Sequence, residues 1–392
     1  MSLSSLPLSY CTNVHPGRTI AEVEHGLDQF TVNLRRNFGA PLAAGLWLAD
    51  PVIRELKASP GNVQRFADGL RARDLTCHTL NAFPYGDFHS PRVKENVYLP
   101  DWTAPNRAAY TLGCAEILAA LLPEGVEGSI STVPLGFKGF THPSDFLDRA
   151  ADALIDVAES FEQLKSETGR HITLAIEPEP MCVLETTPEA INFFEEVFRR
   201  AADRGGRALS AARDHLGLCY DVCHQSVEFE DVAASIAAIS DAGIRIGKVH
   251  ITCAIQLDNP AENREGRRLL ARYAEPRYLH QTLARSRTGE IHRVVDLDEQ
   301  TALEPEPEFR DAESWRIHFH VPVNAEHLGP LGTTRPDLER ALAAVAKLPY
   351  APHLEVETYT WQVLPDGSST SLVDGLTQEL TATRKLLSSL PS

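Results

Sequence analysis

Two glutamates follow a short apolar run in the segment LAIEPEP, residues 174–180. Side chains alternate along a strand, so Glu177 and Glu179 are expected to face the same way. Pro178 and Pro180 cannot donate the hydrogen bonds of a strand ladder, so the chain is expected to leave its sheet here. A polar turn would explain this segment equally well, and the choice depends on the residues that end the other strands.

Three other apolar runs also end in side chains that can bind a metal ion. The segment LEVETYT, residues 354–360, repeats the order of apolar strand, glutamate and departing loop, and so pairs Glu357 with Glu177. Asp221 ends another run, and His250 lies near the end of a fourth. Together they suit one divalent cation, because the oxygen ligands favour Mn²⁺, Mg²⁺ or Co²⁺ and the imidazole permits Zn²⁺.

Two carboxylates at one cation can also move protons. One can take a proton from a carbon next to a carbonyl, and the other can protonate the opposite face while the cation stabilises the charge on the substrate. Glu177 and Glu357 are therefore predicted to be catalytic as well as metal-binding. A single strand-end acid is more often a cap or an ion pair, so the prediction requires the four side chains to converge.

The elements that would position these side chains are short apolar runs alternating with helical patterns, which is typical of parallel βα units. Eight runs are predicted to be strands: 8–13, 43–49, 75–81, 128–134, 172–177, 216–221, 246–252 and 353–358. Eight such units close into an α/β (β/α)8 TIM barrel, whose functional side chains cluster at the C-terminal strand ends. The alternative is an open, doubly wound sheet, but no glycine-rich phosphate turn follows the first strand.

Three helices can be predicted with their ends. Residues 144–168 carry apolar side chains at helical spacing. Residues 187–198 are predicted to begin with Thr187 as the cap and Pro188 at the first helical position. Residues 335–348 begin in a similar way and would form the helix before the last strand.

Residues 256–330 do not fit the repeating pattern. They are predicted to be an insertion at the C-terminal rim of a single barrel domain that spans 1–392. The insertion contains a polar helix-like piece and a candidate hairpin at 278–297. The apolar run at 315–323 either belongs to this region or is itself a barrel strand, in which case one of the eight predicted strands is wrong.

Charge and hydropathy argue against several classes of protein. The chain has 54 acidic and 37 basic residues, a net charge of −17 and no dominant basic patch, so nucleic acid is not an expected partner. No apolar run approaches the roughly 20 residues of a membrane helix. The N-terminus lacks the pattern of a secretory signal, so a cytoplasmic protein is expected. Seven scattered cysteines without a CxxC pair predict free, buried thiols.

The strand-end motifs resemble those of the xylose isomerase-like barrels, which include sugar and sugar phosphate isomerases and epimerases. More closely, six motifs resemble the EboE-type metabolite traffic proteins: LSYCTNVHPG (8–17), LNAFPYGDFH (80–89), VKENVYLPDW (93–102), EGSISTVPLGFK (127–138), LCYDVCHQ (218–225) and HFHVPV (318–323). This resemblance spans nearly the whole chain. It implies the isomerase barrel and a role beside synthases and prenyltransferases in a gene cluster for exported metabolites.

The superfamily resemblance also implies a set of metal ligands. Its strand-end positions correspond to Glu177, Asp221, His250 and Glu357. His224 matches the second position of the superfamily's Asp-x-x-His pattern and is expected to be a further ligand or a partner of one.

Substrate contacts are predicted at the ends of the first and third strands and in the long loop region that follows. Hydrogen-bond donors and aromatic faces there suit a polyol, and Lys94 and Lys138 could meet a phosphate. The predicted substrate-binding residues are Asn13, His15, Asn81, Tyr85, His89, Lys94, Trp102, Lys138 and His320, and His318 shares one face of its run with His320. The alternative is a loop whose aromatic side chains only fasten it to the barrel.

The preferred hypothesis is a metal-dependent isomerase or epimerase acting on a sugar, sugar phosphate or cyclitol-like polyol in a secondary-metabolite pathway. One alternative is a carrier that keeps the pocket without turnover, which would be favoured if His250 or Glu357 pointed away from the pocket. Another is a metal-dependent hydrolase. The sequence leaves open whether the protein is a monomer or a homo-oligomer.

Overall fold

Eight parallel strands form a closed barrel in the computed structural model, which describes residues 3, 5–365 and 370–390. The strands are β1 (Leu8–Cys11), β2 (Leu42–Trp47), β3 (Thr79–Asn81), β4 (Gly128–Thr132), β5 (Ile172–Ile176), β6 (Leu216–Asp221), β7 (Arg245–Ile251) and β14 (His353–Val356). Their order around the ring is β1, β14, β7, β6, β5, β4, β3, β2. Each overlaps one of the eight predicted runs, so the predicted TIM barrel is confirmed.

Helices lie between the barrel strands and after the last one. They are α1 (Ile20–Gly26), α2 (Val32–Phe38), α3 (Asp50–Lys57), α4 (Pro60–Ala72), α5 (Pro105–Leu121), α6 (Phe146–Thr168), α7 (Thr187–Arg204), α8 (Gly206–His215), α9 (Val222–Val227), α10 (Val232–Asp241), α14 (Arg335–Val345) and α15 (Leu372–Ser389). A π-helical segment (Leu27–Thr31) joins α1 to α2, and short 3₁₀ turns follow β1 (Thr12–Val14), β3 (Lys94–Tyr98) and β14 (Tyr359–Val363).

The helix predictions are correct in type and differ at the ends. The helix predicted to start with Thr187 as its cap is capped one residue earlier, by Thr186, which accepts a hydrogen bond from the Glu189 N–H. The Glu189 side chain in turn accepts from the Thr186 N–H, which completes a capping box. Thr187 instead donates to the carboxylate of Glu230.

The region between β7 and α14 forms a second, antiparallel sheet. Its strands are β8 (Ile255–Asp258), β9 (Thr282–Arg285), β10 (Ile291–Val294), β11 (Ser314–Ile317), β12 (His327–Leu328) and β13 (Leu331–Thr333), in the order β10, β9, β11, β8, β13, β12. Its helices are α11 (Arg264–Leu270), α12 (Glu299–Leu303) and α13 (Pro307–Arg310), with a 3₁₀ turn at Ala271–Tyr273. β9 and β10 pair as the expected hairpin.

The apolar run at 315–323 is not a barrel strand. Its first residues belong to β11, which pairs antiparallel with β8 and with β9. Both sides of β11 are therefore occupied within the second sheet, and the barrel closes without it. Beyond β11, the chain passes the end of β7, where the Val321 N–H donates to the Cys253 carbonyl at 3.0 Å.

The barrel interior holds a fully buried ion pair. Lys248 Nζ lies 2.6 Å from Glu355 Oε1, and both side chains are 0% exposed. Ser9 donates to Glu355 Oε2 at 3.1 Å. Gly45 makes room for this carboxylate, because a Cβ built there would lie 1.4 Å from Glu355 Oε2. We call Lys248 and Glu355 the interior ion pair.

All seven cysteines are free and buried, as predicted. Burial raises the pKa of the Cys77 thiol to about 12. Such thiols are not reactive nucleophiles at neutral pH. Within the described parts of the chain, no helix combines the length and the apolar composition needed to span a bilayer.

Candidate metal and substrate site

The four predicted metal ligands converge above the interior ion pair, at the C-terminal ends of β5, β6, β7 and β14. His250 Nδ1 lies 3.0 Å from Glu177 Oε1, 3.1 Å from Glu357 Oε2 and 3.6 Å from Asp221 Oδ2. All four side chains are at least nine-tenths buried. We call Glu177, Asp221, His250 and Glu357 the rim cluster.

These distances fit a shared cation. Ligand atoms about 2.1 Å from one ion lie about 3.0–3.4 Å apart in octahedral or tetrahedral coordination. Glu177 Oε2 and Asp221 Oδ2 are buried and have no hydrogen-bond partner within the described chain. Buried carboxylate oxygens are normally paired or bound to metal, so the donor set suits one divalent cation.

Neighbouring side chains occupy the other carboxylate oxygens. Asn13 and Asn81 each donate from Nδ2 to Glu357 Oε1 at 2.8 Å. Thr252 donates from Oγ1 to Asp221 Oδ1 at 2.7 Å. These bonds fix the orientation of the two carboxylates and leave Glu357 Oε2 and Asp221 Oδ2 facing the cluster. Metal ligands are commonly oriented by such hydrogen bonds from neighbouring groups.

The charges of the rim cluster stabilise one another. Although burial favours the protonated acid, the positive charge and hydrogen bond of His250 lower the pKa of Glu357. Burial also favours the protonated form of Asp221, but His224, His320 and His250 together lower the pKa of its carboxyl group. The surrounding histidines therefore favour the ionised forms of Asp221 and Glu357, which are the forms that bind a metal ion.

Three further histidines lie beside the rim cluster. His224 Nε2 is 3.1 Å from His318 Nε2, which is 3.3 Å from His320 Nε2. His224 comes from α9, whereas His318 and His320 come from the segment after β11. We call these three residues the histidine cluster. Of its members, the predicted sites included His224 as a ligand and His320 as a substrate contact, and left His318 out.

Glu179 is a buried polar residue of the site that the predicted set also omitted. It lines the same cavity as Glu177, as the alternation along LAIEPEP requires. Tyr98 donates from its hydroxyl to Glu179 Oε1 at 2.7 Å, and Gln281 Nε2 lies 3.3 Å from the same oxygen. Burial raises the pKa of Glu179 to about 7 despite the nearby charge of His224. The spacing of the two glutamates was the available sequence signal.

A cavity of about 50 Å³ lies over these groups, and aromatic side chains form much of its wall. Phe88, Tyr278 and Tyr359 pack against one another with ring centroids 4.9–5.4 Å apart. Tyr278 belongs to the insertion and Phe88 to the loop after β3, so both regions enclose the cavity. An apolar wall with a few polar groups on its floor is typical of small-molecule sites.

The structure brings only some of the predicted substrate contacts to this cavity. Asn13, Asn81, Lys94 and His320 line it. The Lys94 ammonium is fully engaged elsewhere: Nζ lies 2.9 Å from the Glu275 carbonyl, 2.7 Å from the Tyr278 carbonyl and 2.6 Å from Asp296 Oδ2. Lys94 therefore ties the loop after β3 to the insertion.

Five predicted contacts lie outside the cavity lining. His15 stacks on Phe30 at 4.3 Å. His89 Nε2 bonds the Asn13 carbonyl at 2.8 Å, which ties the loop to the end of β1. Trp102 is buried, and its backbone N–H donates to the Leu135 carbonyl at 2.9 Å.

The other two, Tyr85 and Lys138, are also engaged away from the cavity. Tyr85 packs edge-on against Tyr110, with ring centroids 5.1 Å apart. Lys138 is exposed and forms ion pairs with Glu185 and Glu189. The loop after β3 therefore lines the cavity mainly with its apolar residues and Tyr98. Most of the polar side chains of this loop that were predicted to contact substrate instead hold the loop to the rest of the protein.

A family model described as "Xylose isomerase-like TIM barrel" matches residues 23–270. The chain belongs to this family. The barrel with its strand-end carboxylates is consistent with that membership, and no curated protein matches the chain.

Solved structures share the fold at low identity. The IOLI protein with a bound zinc atom is 12% identical, with 99% of this chain and 100% of that chain covered and a TM-score of 0.51. An L-ribulose 3-epimerase is 14% identical, with 99% and 94% covered and a TM-score of 0.50. A D-tagatose 3-epimerase-like protein is 10% identical, with 98% and 97% covered and a TM-score of 0.50. At such identities the likeness establishes the fold alone.

Proposed function

We propose that the protein is a divalent-metal-dependent isomerase or epimerase that transfers a proton next to the carbonyl group of an uncharged polyol. The observation that carries the proposal is that Glu177 and Glu357, from β5 and β14, lie 3.0 and 3.1 Å from the same nitrogen of His250. Both glutamates also line the cavity. Two carboxylates that face one small space can act on one substrate carbon.

Each member of the rim cluster has a proposed role. Glu177 and Glu357 are the proposed proton-transfer groups: the ionised carboxylate on one side of the substrate carbon takes its proton, and the group on the other side, when protonated, delivers a proton to the opposite face. Together with Asp221 and His250 they are the proposed ligands of the cation. A divalent cation at this position would stabilise negative charge developing on the substrate oxygens. Asn13 and Asn81, which hold Glu357 in place, keep its second oxygen directed at the reacting group.

The cavity favours an uncharged sugar or cyclitol over a sugar phosphate. Lys94 is the one lysine or arginine among the residues that line the cavity, and its ammonium already has three acceptors. The remaining polar lining consists of carboxylates, amides, histidines and tyrosines, which bind hydroxyl groups. A phosphate would meet several carboxylates, and the lining offers no lysine or arginine side chain with a free donor to compensate.

The carrier hypothesis required His250 or Glu357 to point away from the pocket. Glu357 lines the cavity, and His250, which is not among the lining residues, directs Nδ1 at Glu177 and Glu357. The similar folds described as epimerases agree with the proposed reaction class without assigning it to this chain. The narrower EboE-type assignment and a place in a secondary-metabolite pathway rest on the sequence motifs and remain predictions.

Solvent exchange tests the proposal. The full chain is loaded with Mn²⁺ and incubated in deuterium oxide with uncharged ketoses, including fructose, tagatose and ribulose. Mass spectrometry then follows deuterium at the substrate carbon. We expect exchange with at least one ketose, and a loss of about 10²- to 10⁴-fold in rate for Glu177→Gln and for Glu357→Gln. The exposed Glu124→Gln variant should exchange at the wild-type rate.

Two results would contradict the proposal. Exchange at the wild-type rate in both site variants would remove these carboxylates from proton transfer. Metal-dependent binding of a sugar without any exchange would favour the carrier hypothesis instead.

A further inference from the structure

The cavity of the candidate site is too small, as it stands, for the proposed substrate. Its volume is about 50 Å³, which is room for only about four water molecules. Sites that bind small molecules usually measure about 300–1,000 Å³. Every residue that lines the cavity is buried except Val97, which is partly buried. A sugar can therefore enter only if part of the wall moves away.

Two segments outside the barrel strands supply much of this wall. Residues 83–98 belong to the loop after β3, and residues 275–281 belong to the insertion. Together they provide nine of the eighteen residues that line the cavity. We call these two segments the roof. The other lining residues include the side chains of the rim cluster that face the cavity, so the roof is the part of the wall that can move without disturbing the proposed chemistry.

A single ammonium joins the two segments of the roof. Lys94 Nζ donates to the carbonyls of Glu275 and Tyr278 at 2.9 and 2.7 Å. It also lies 2.6 Å from Asp296 Oδ2. All three acceptors belong to the insertion, whereas Lys94 belongs to the loop after β3. Because the Asp296 side chain is 32% exposed, water can replace the lysine at this acceptor when the segments separate.

The backbone of Lys94 has an unfavourable conformation. Its φ is 43°, in the left-handed region that residues with a side chain disfavour. The N–H groups of Val93 and Lys94 both donate to the Arg277 carbonyl at 2.8 Å, so contact with the insertion maintains this conformation. Strained residues that are held by their surroundings cluster at ligand clamps and switch regions. Separation of the two segments would release the strain.

We propose that the roof is the gate through which the substrate enters, and that Lys94 is the positioning residue that holds the gate closed. Phe88 and Tyr278 come from different segments of the roof, and their ring centroids lie 4.9 Å apart. Opening separates these rings and enlarges the cavity. Closing excludes water from the carboxylates of the rim cluster, which strengthens their interaction with charge on the substrate. The inference rests on the proposed function in taking this cavity as the substrate site.

Labelling of an introduced cysteine tests the gate without a substrate. Leu279 lines the cavity and is 8% exposed, so Leu279→Cys places a thiol that iodoacetamide reaches only when the roof opens. The native cysteines are buried, and the wild type supplies their background rate. Mass spectrometry follows labelling of the full chain. Adding Lys94→Met should raise the labelling rate of Leu279→Cys by about 10- to 100-fold, because a hydrogen bond from a charged donor is worth roughly tenfold or more in an equilibrium constant.

Asp296→Asn is a milder variant that keeps the lysine and weakens one of its acceptors. Because this ion pair is partly exposed, the labelling rate of Leu279→Cys should rise by a smaller factor, about two- to fivefold. A rise in the order wild type, Asp296→Asn and Lys94→Met would tie the opening to the ammonium itself.

Leu121→Cys is the matched control. Leu121 lies at the C-terminal end of α5 and is 9% exposed, so its labelling reports on opening of the chain away from the roof. Lys94→Met should leave this rate unchanged. An equal rise at both introduced cysteines would mean that Lys94 stabilises the whole chain, and would overturn the proposal.

Two other results would also overturn it. An unchanged labelling rate of Leu279→Cys in the Lys94→Met background would remove Lys94 from the gate. Labelling of Leu279→Cys in the wild-type background as fast as that of a free thiol would show that the cavity is already open. Deuterium exchange into ketoses can fail while the labelling results hold, so failure of the proposed function is distinguishable from failure of the gate.

Discussion

Two groups of buried charges lie in successive layers of the barrel and are neutralised in different ways. In the lower layer, Lys248 and Glu355 form an ion pair 2.6 Å apart. In the rim cluster, two residues further along β7 and β14, three carboxylates share one histidine, and two buried oxygens have no partner within the described chain. In the lower layer an ammonium of the protein lies beside the carboxylate, whereas the upper layer has three carboxylates for one imidazole and therefore has acceptors to spare for a cation.

A buried carboxylate outside these two layers is accommodated in a third way. Glu379 on α15 accepts hydrogen bonds from Thr358 at 2.8 Å and from Trp361 at 3.2 Å, which are both neutral donors. Burial raises the pKa of Glu379 to about 8. The same chain thus holds a buried acid by pairing it with a lysine, by leaving it protonated, or by clustering it with other acids around a histidine.

The largest expected effect comes from breaking the interior ion pair. Lys248→Met leaves the Glu355 charge buried without its lysine, so the free energy of unfolding should fall by about 3–5 kcal/mol. Urea unfolding measures this. The double variant Lys248→Met with Glu355→Leu removes both charges and should recover most of the loss. If the single variant were as stable as the double variant, the buried Glu355 charge would not depend on Lys248, and the prediction would be wrong.

The next largest effect is the stabilisation by added metal, which should depend on the rim cluster and not on the interior ion pair. Mn²⁺ at 100 times its dissociation constant should stabilise the wild type by about 2.7 kcal/mol, and EDTA should reverse the gain. Glu177→Gln should show little of this gain, yet without metal it should unfold no more easily than the wild type, because it relieves repulsion among carboxylates. Thermal melts with and without Mn²⁺ check both statements. Strong destabilisation of the metal-free variant would mean that protein atoms alone satisfy the rim cluster.

Gly45→Ala should disturb the lower layer by overpacking. A Cβ there would lie 1.4 Å from Glu355 Oε2, so the carboxylate must shift away from Lys248 and Ser9. We expect a loss of about 1–3 kcal/mol in unfolding free energy. Gly86→Ala, where a Cβ meets no atom within 4 Å, is the control and should cost far less. Equal costs for the two variants would contradict the close fit around Glu355.

The last prediction concerns the protonated acid, and its effect appears only as the pH changes. The pKa of Glu379 is raised from 4.5 to about 8 in the folded protein, so its contribution to stability is complete below pH 4.5 and is lost as the pH rises to about 8. Relative to the wild type, Glu379→Gln should therefore become more stable as the pH rises through this window. Urea midpoints at pH 5, 7 and 9 test it, and a difference that does not change with pH would contradict the raised pKa.

Much of the fold could be predicted because its signals are local. Apolar runs of strand length alternate with helical patterns, and each of the eight runs became a barrel strand. The helix end at Thr187 was misplaced by one residue, because Thr186 and Thr187 are both capable caps and the choice depends on Glu230, which is distant in sequence. The second sheet was not foreseen as a sheet, since its strands are short and pair across long loops.

The sequence by itself determined the barrel and the four strand-end side chains of the rim cluster, because a period of two and a strand's end fix where such residues lie. Tertiary structure decided the rest. Trp102 and Lys138 look suited to a substrate, yet packing engages them elsewhere. His318 reaches the site only because the insertion folds back over α9 and meets His224. His224 and His318 are 94 residues apart in the sequence, and they meet only because of how the insertion packs on the barrel. No local sequence pattern predicts such a contact.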